Sequence, residues 1–346
     1  MRHILQTEWD KTRGGADILK GMAKVLLVCA LAWTMCPPAA FAGPTLVFNM
    51  EDGHVLYADD PDVPWYPASL TKMMTAYLAF EAVRDGQALM GTRVIISRAA
   101  RRQPPTKLGL AVGKHITLRE ALRAIIIKSA NDVSVAIAET LSGNEQAFIK
   151  QMNQKAAELG MMNTHFVNPH GLPATQQVTT ARDMALLAQA LLRDFPEHAP
   201  LFAQVEAKVG KRVLHTHNAI IVTYPGGDGI KTGYTCASGY NLVASATRNG
   251  NKIIAVILGE KSGAARTVRA TALLEHGFKY LDWKALYPTS RLDNLPSNGL
   301  SRGIEPSEAM LTRYRDCKAP PPPPKTAKTK KKSKNRKYSK RRRRKN

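Results

Sequence analysis

"GYNLVASATRNGNKIIAVILG" (residues 239–259) holds two apolar runs, Leu242–Ala246 and Ile253–Leu258, joined through Asn249–Gly250. An Asn-Gly pair between apolar runs is the strongest short-range hairpin signal, because both central positions of the tightest hairpin turn need positive φ. Working outward, "DGIKTGYT" (228–235) and "KRVLHTHNAI" (211–220) read as further strands upstream. At the other end of the chain "TLVFNM" (45–50) and "HVLYADD" (54–60) flank the turn Glu51–Asp52–Gly53 as an antiparallel hairpin. Between these ends the periodicity is helical. "TLREALRAIIIK" (117–128) opens with a Thr117/Glu120 capping box, and "NDVSVAIAETLSG", "NEQAFIKQMNQKAAELGM" and "TARDMALLAQALLRDF" follow it, with "TRVIIS" (92–97) as a short strand. "ARTVRATALLEHGFKYL" (265–281) predicts a closing helix. Strands at both ends and helices in the middle predict one α/β (α+β) domain, its sheet joining N- and C-terminal segments around a helical insertion.

Two stretches fall outside that domain. "MAKVLLVCALAWTMCPPAAFAG" (22–43) has a lysine, a short apolar run and Ala40–Phe41–Ala42 before Gly43, the pattern of a secretory signal cleaved after residue 42. Residues 1–42 are therefore read as signal peptide, with Met22 as an alternative start, and the rest as exported to the periplasm or cell envelope. At the far end Pro320–Pro324 form a stiff spacer, and Lys325–Asn346 carries 14 Lys or Arg without an acid. Much of the formal charge of +23 sits in that tail, so the body is only mildly basic. The tail suits anionic membrane or wall polymers; nucleic acid, though attractive to such a charge, is not the partner expected after export. Residues 285–319 read as an irregular extension. Removal of the signal leaves Cys236 and Cys317, which either pair in an oxidising compartment or remain two thiols. No metal-ligand spacing is present, and no cofactor is expected.

"PASLTKMMTAYLAFEAV" (67–83) places Ser69 and Lys72 three apart at the head of an apolar helix. Ser69 as a helix cap is one reading. The other is a nucleophile with its base one turn away, since residues i and i+3 share a helix face and a desolvated lysine loses its charge readily. Ser129–Ala130–Asn131 sits between two predicted helices, as a cap or as site residues. Lys231–Thr232–Gly233 lies in a predicted strand, where glycine marks a bulge or a close backbone approach.

Ser-x-x-Lys, Ser-x-Asn and Lys-Thr-Gly in this order form the signature set of penicillin-binding proteins and serine β-lactamases, here with gaps of 60 and 102 residues. "YPASLTKMMTAYLAFEAV", "IIIKSANDVSVAIAE", "FVNPHGLP" and "GIKTGYTCASGYNLVASA" resemble low-molecular-mass D-alanyl-D-alanine carboxypeptidases over about residues 44–284. The resemblance implies a β-lactamase/DD-peptidase-like antiparallel sheet flanked by helices with a helical subdomain, and a catalytic domain at 43–284. It implies Ser69 as nucleophile, Lys72 as its base and Ser129 as proton relay. Asn131, Lys231, Thr232 and Gly233 would hold a stem peptide ending in D-Ala-D-Ala, and the backbone N–H groups of Ser69 and Tyr234 would form the oxyanion hole. β-Lactams are then expected as covalent inhibitors.

Where some relatives carry histidine after Lys-Thr-Gly this chain has Tyr234, and Lys261 is the candidate for an arginine that helps bind the carboxylate. The β-rich domain and amphipathic membrane helix that often follow in the family are not legible here. His165, His170, His215 and His217 read as structural or surface residues, Asp183 as a helix-start partner, and Glu158 in "KAAELGM" as a solvated helix residue rather than a deacylating carboxylate. An endopeptidase of cross-links, a β-lactamase, and a polyanion-binding protein with an inactive body are the competing functions.

Overall fold

The computed structural model describes residues 43–281, 290–296 and 308–318. The signal-like segment 1–42, the proline spacer and the basic tail lie outside the described residues.

The strands are β1 (Thr45–Asn49), β2 (Val55–Asp59), β3 (Arg93–Ile95), β4 (His115–Thr117), β5 (Glu206–Val209), β6 (Arg212–His215), β7 (Gly227–Thr235), β8 (Gly239–Arg248) and β9 (Asn251–Glu260). Five of them form one antiparallel sheet in the order β2-β1-β9-β8-β7. Asn249 and Gly250 take φ of 50° and 78°, the turn their sequence requires, and set the β8–β9 register from Arg248↔Asn251 upward. β1 then adds to the other side of β9, pairing Thr45 with Ile257 and Asn49 with Ile253. The sheet does join the two ends of the domain.

Continuous apolar runs in β8 and β9 follow from burial on both faces. Val243, Ile254, Val256 and Leu258 point into the larger core, shared with the helices Lys72–Arg84 and Ala181–Asp194. Their neighbours Leu242, Ala244, Ile253, Ala255 and Ile257 point to the opposite face, where Ala270, Leu273 and Leu274 of the helix Gly263–Tyr280 cover them. The helical insertion comprises Leu118–Ile126, Asn131–Ser142 and Glu145–Glu158, with the short helix Arg98–Arg102 and the β3–β4 pair beside it. Thr117 and Glu120 make the expected reciprocal cap.

Three local readings change. "KRVLHTHNAI" does not run as one strand: β6 ends at His215, and Asn218, whose Oδ1 accepts from Ile220 N, starts the short helix Ala219–Thr223. The α-helix expected to begin at Ser69 begins at Lys72, after a 3-10 turn over Ala68–Thr71, and no side chain caps either. The extension read as irregular contains an eleven-residue helix, Glu308–Lys318, in which Met310 and Tyr314, four apart, pack onto the domain. A disulfide joins its Cys317 to Cys236. So short an apolar period, set among charges, gave no helix signal in the sequence.

Candidate active site

Ser69 lies in the 3-10 turn that precedes the helix. Its side chain caps nothing and instead accepts from Lys72 Nζ at 2.9 Å. Lys72 is 1 % exposed, and its ammonium spends its other two donors on Asn131 Oδ1 (2.8 Å) and the His170 carbonyl (2.6 Å). Burial pushes its pKa well below the usual lysine value; the nearby Lys231 pushes the same way, and the buried Asp132 partly opposes them. A lysine so placed can give up its proton and accept one from Ser69.

The second motif stands where the sequence put it, at the junction of the helices Leu118–Ile126 and Asn131–Ser142. Ser129 takes φ +63°, a left-handed conformation that costs a serine free energy and turns its hydroxyl toward Lys231, whose Nζ donates to it at 3.1 Å. The loop beside it is tied down: Asn131 Nδ2 donates to Pro104 O, Asn131 N to Thr106 O, and Thr106 Oγ1 to Ser129 O. Asp132 holds the same loop by accepting from Leu108 N and Gly109 N.

The third motif lies on β7, the edge strand of the sheet. Lys231 is 2 % exposed, and burial with the neighbouring Arg266 lowers its pKa to about 7. Gly233 marks a close approach rather than a bulge: a Cβ there would stand 3.1 Å from Pro67 O and 3.2 Å from Ser69 N. Asn241 on β8 fixes the segment leading to Ser69, its Nδ2 donating to Tyr66 O (2.9 Å) and Pro67 O (3.1 Å). On the opposite wall, Gly171 in "FVNPHGLP" has φ +86° and packs so tightly on Ala68 that an added Cβ would overlap Ala68 O.

Ser69, Ser129, Asn131, Thr232, Gly233 and Tyr234 line one cavity of about 460 Å3, with Lys72 and Lys231 buried beside it. Eight of the nine candidate site residues named from the sequence are thus brought together. Three more were not foreseen there. Arg266, from the helix Gly263–Tyr280, lines the cavity, whereas Lys261 is exposed and does not; the arginine comes from the following helix, where "ARTVR" looks like any exposed helical face. His217 also lines the cavity, its pKa lowered by burial and by Lys231, Lys128 and Arg266. His170 is buried near Lys72, which together with burial drops its pKa to about 3, so its ring is neutral and its carbonyl serves Lys72. Asp183, also buried, accepts from Asn163 N and Thr164 Oγ1, and Glu158 pairs with Lys155 away from the cavity; neither meets the three motifs.

A sheet closed by its two chain ends, a Ser-x-x-Lys turn against it and Lys-Thr-Gly on its edge define the fold of penicillin-binding proteins and serine β-lactamases. Residues 32–262 match the peptidase S11 family, described as D-alanyl-D-alanine carboxypeptidase, and the chain belongs to it. It is 36 % identical over 247 residues to D-alanyl-D-alanine carboxypeptidase DacA of Haemophilus influenzae, covering 70 % of this chain and 63 % of that protein. The structure of penicillin binding protein 5 from Haemophilus influenzae superposes with a TM-score of 0.67 at 34 % identity, over 71 % of this chain and 73 % of that one. The structure of penicillin-binding protein D2 from Listeria monocytogenes in its ampicillin-bound form gives 0.64 at 29 % identity, over 70 % and 100 %. The chain spans under two thirds of the length of the curated relatives it matches first, 63 % in the first two.

Proposed function

We propose that the protein is an exported serine-type D-alanyl-D-alanine carboxypeptidase that removes the terminal D-Ala of peptidoglycan stem peptides through an acyl-enzyme on Ser69. The observation that carries this is the buried Lys72 Nζ at 2.9 Å from Ser69 Oγ, with its charge disfavoured by its surroundings. Neutral Lys72 takes the Ser69 proton as Oγ adds to the penultimate carbonyl. The backbone N–H groups of Ser69 and Tyr234 stabilise the oxyanion, an interaction worth roughly 10²–10³ in rate per donor. Ser129, hydrogen-bonded to Lys231, passes the proton to the departing D-Ala nitrogen. Lys231, Thr232 and Arg266 receive the terminal carboxylate, while the peptide lies along β7 as an added edge and the second amide hydrogen of Asn131 meets its amide oxygen. Water then hydrolyses the ester and frees Ser69.

No carboxylate lines the cavity among the described residues, which favours a slowly deacylating peptidase over a β-lactamase. The intact hydrogen-bonded motifs speak against an inactive body. An endopeptidase would use the same groups.

Intact-mass analysis after incubation with penicillin tests this reading. A stable adduct mapped to Ser69, lost in Ser69→Ala and in Lys72→Arg, is expected, because a guanidinium keeps the charge but cannot accept the proton. Rapid turnover to penicilloate, or an adduct elsewhere, overturns it. The basic tail is read as holding the enzyme to anionic wall or membrane polymers, each cation contributing on the order of 1 kcal/mol near an anionic surface. Co-sedimentation with sacculi and anionic vesicles across salt, comparing full-length protein with a chain lacking residues 325–346, should show salt-released binding of the full-length form alone. Equal binding by both forms overturns the anchoring role.

A further inference from the structure

The helix Glu308–Lys318 lies past residue 262, where the match to the family ends, yet it packs on the segments that flank Ser69 and Gly233. It grips two strips of chain. The first is Trp65–Tyr66, which runs into Ser69 three residues later: the Arg313 guanidinium sits 4.4 Å above the Trp65 ring, and the Tyr314 and Tyr66 rings are 6.2 Å apart. The second is Cys236–Ala237, three residues past Gly233: Cys317 is bonded to Cys236, and Met310 is buried against Ala237 and Tyr66 together.

The loop it grips is closed on itself by hydrogen bonds. Thr235 N donates to Ser238 Oγ at 2.9 Å and Ser238 N to Thr235 Oγ1 at 3.1 Å, closing a turn around Cys236. Trp65 Nε1 donates to Ser238 O at 2.9 Å, which ties the two strips to each other under the helix. On their cavity side the strips touch where Gly233 faces Ser69 N. One strip carries the Ser69 N–H and the other the Tyr234 N–H.

We propose that this helix is a positioning element of the oxyanion hole: Arg313, Tyr314 and the Cys236–Cys317 bond hold the two donor-bearing strips at the spacing the tetrahedral intermediate needs. The inference rests on the reading of Ser69 and Tyr234 as the oxyanion donors. Such donors act only within a few tenths of an ångström of their optimum, and a displacement of about 1 Å can cost about 10²-fold in rate. The groups that receive the substrate carboxylate, Lys231 and Arg266, are held from other elements, by Ser129 and by the carbonyls of Asn241 and His217. Loosening the helix should therefore slow the charged step and leave ground-state binding in place.

The test uses the full chain and a fluorescent penicillin in stopped flow, which separates the limiting acylation rate from the half-saturating concentration. Cys317→Ser, Cys236→Ser and the disulfide-retaining Arg313→Ala are compared with the parent, and near-ultraviolet circular dichroism gives the folded fraction of each. The limiting rate is expected to fall by about tenfold or more in the cysteine variants, and less in Arg313→Ala, with half-saturation within about twofold. Reducing and then reoxidising the parent should lower and restore the rate reversibly. Unchanged limiting rates in folded variants, a shift in half-saturation alone, or a rate loss in strict proportion to unfolded protein overturns the positioning role. If the parent itself forms no adduct on Ser69, the catalytic reading fails and takes this one with it; if the parent is acylated and the variants match it, this inference alone fails.

Discussion

Lys231 Nζ donates to Ser129 Oγ across 3.1 Å, joining residues 102 positions apart in the chain. The edge strand and the helical insertion meet at this bond, and it makes the protonation of Lys231 a property of the whole cavity. Lys72, Lys231 and Arg266 are all buried at this cavity, and each has its charged form disfavoured by that burial. Such a cavity favours an incoming carboxylate and disfavours its own charges.

The pH dependence follows from the two lysines. On the proposed mechanism, productive free enzyme needs Lys72 neutral and Lys231 charged. For a peptide ending in D-Ala-D-Ala, kcat/KM should be lost at low pH as Lys72, whose pKa burial lowers, takes up a proton, and lost on the alkaline side as Lys231 gives up its own near pH 7. In Lys231→Arg the falling limb should disappear while the rising limb stays, because arginine keeps its charge. A falling limb unchanged in that variant assigns it to another group.

Gly233→Ala should damage catalysis far more than folding. The added methyl meets Pro67 O, Ala68 Cβ and Ser69 N at 3.1–3.2 Å, so the strand or the serine turn must shift by a few tenths of an ångström. An acylation rate lower by roughly 10²-fold with a nearly unchanged Tm is expected, close to the loss of one oxyanion donor. Penicillin acylation kinetics beside a thermal melt check both halves.

Gly171→Ala should do the reverse and unfold the protein. Its φ of +86° disfavours a side chain, and the new Cβ would overlap the carbonyl of Ala68. Together these should cost at least about 3 kcal/mol. Denaturant unfolding measures it; a midpoint near that of the parent would mean that the loop can move off Ala68 without loss.

Much of this was legible because the sheet and the motifs are both written locally. The Asn249–Gly250 turn, the Thr117–Glu120 cap and the three short motifs each need only neighbouring residues to be recognised. Arg266 was not legible, because nothing within the helix Gly263–Tyr280 distinguishes a side chain that reaches a cavity from one that faces water; only the packing of that helix on β8 and β9 does. The carbonyl of His170 escaped for a related reason, since a backbone acceptor has no residue signature at all. The helix Glu308–Lys318 owes its place to Cys236 and Tyr66, which lie 81 and about 250 residues earlier.

Arg266 yields a fourth prediction. Its Nη atoms reach the carbonyls of Asn241 and His217 only at 3.4 Å, and its buried Nε has no partner, so the guanidinium has capacity left for an anion. Arg266→Gln should raise KM for a peptide ending in D-Ala-D-Ala by about 10- to 100-fold, the worth of a charged hydrogen bond, with a smaller change in kcat. An unchanged KM would remove Arg266 from the carboxylate site.

The pairing of β1 with β9 has a consequence for the order of folding. Thr45 waits for Ile257, about 210 residues later in synthesis, and no other strand of the five-stranded sheet can stand in on that side of β1. Sheets built from such distant partners fold slowly, since the chain between must be closed before pairing is rewarded. The earlier-made helices can assemble first, but β1 stays half-paired until nearly the whole domain exists. Until Asn251–Glu260 has been made, β1 has only β2 to pair with, so the last strand to be synthesised is the one that closes the sheet.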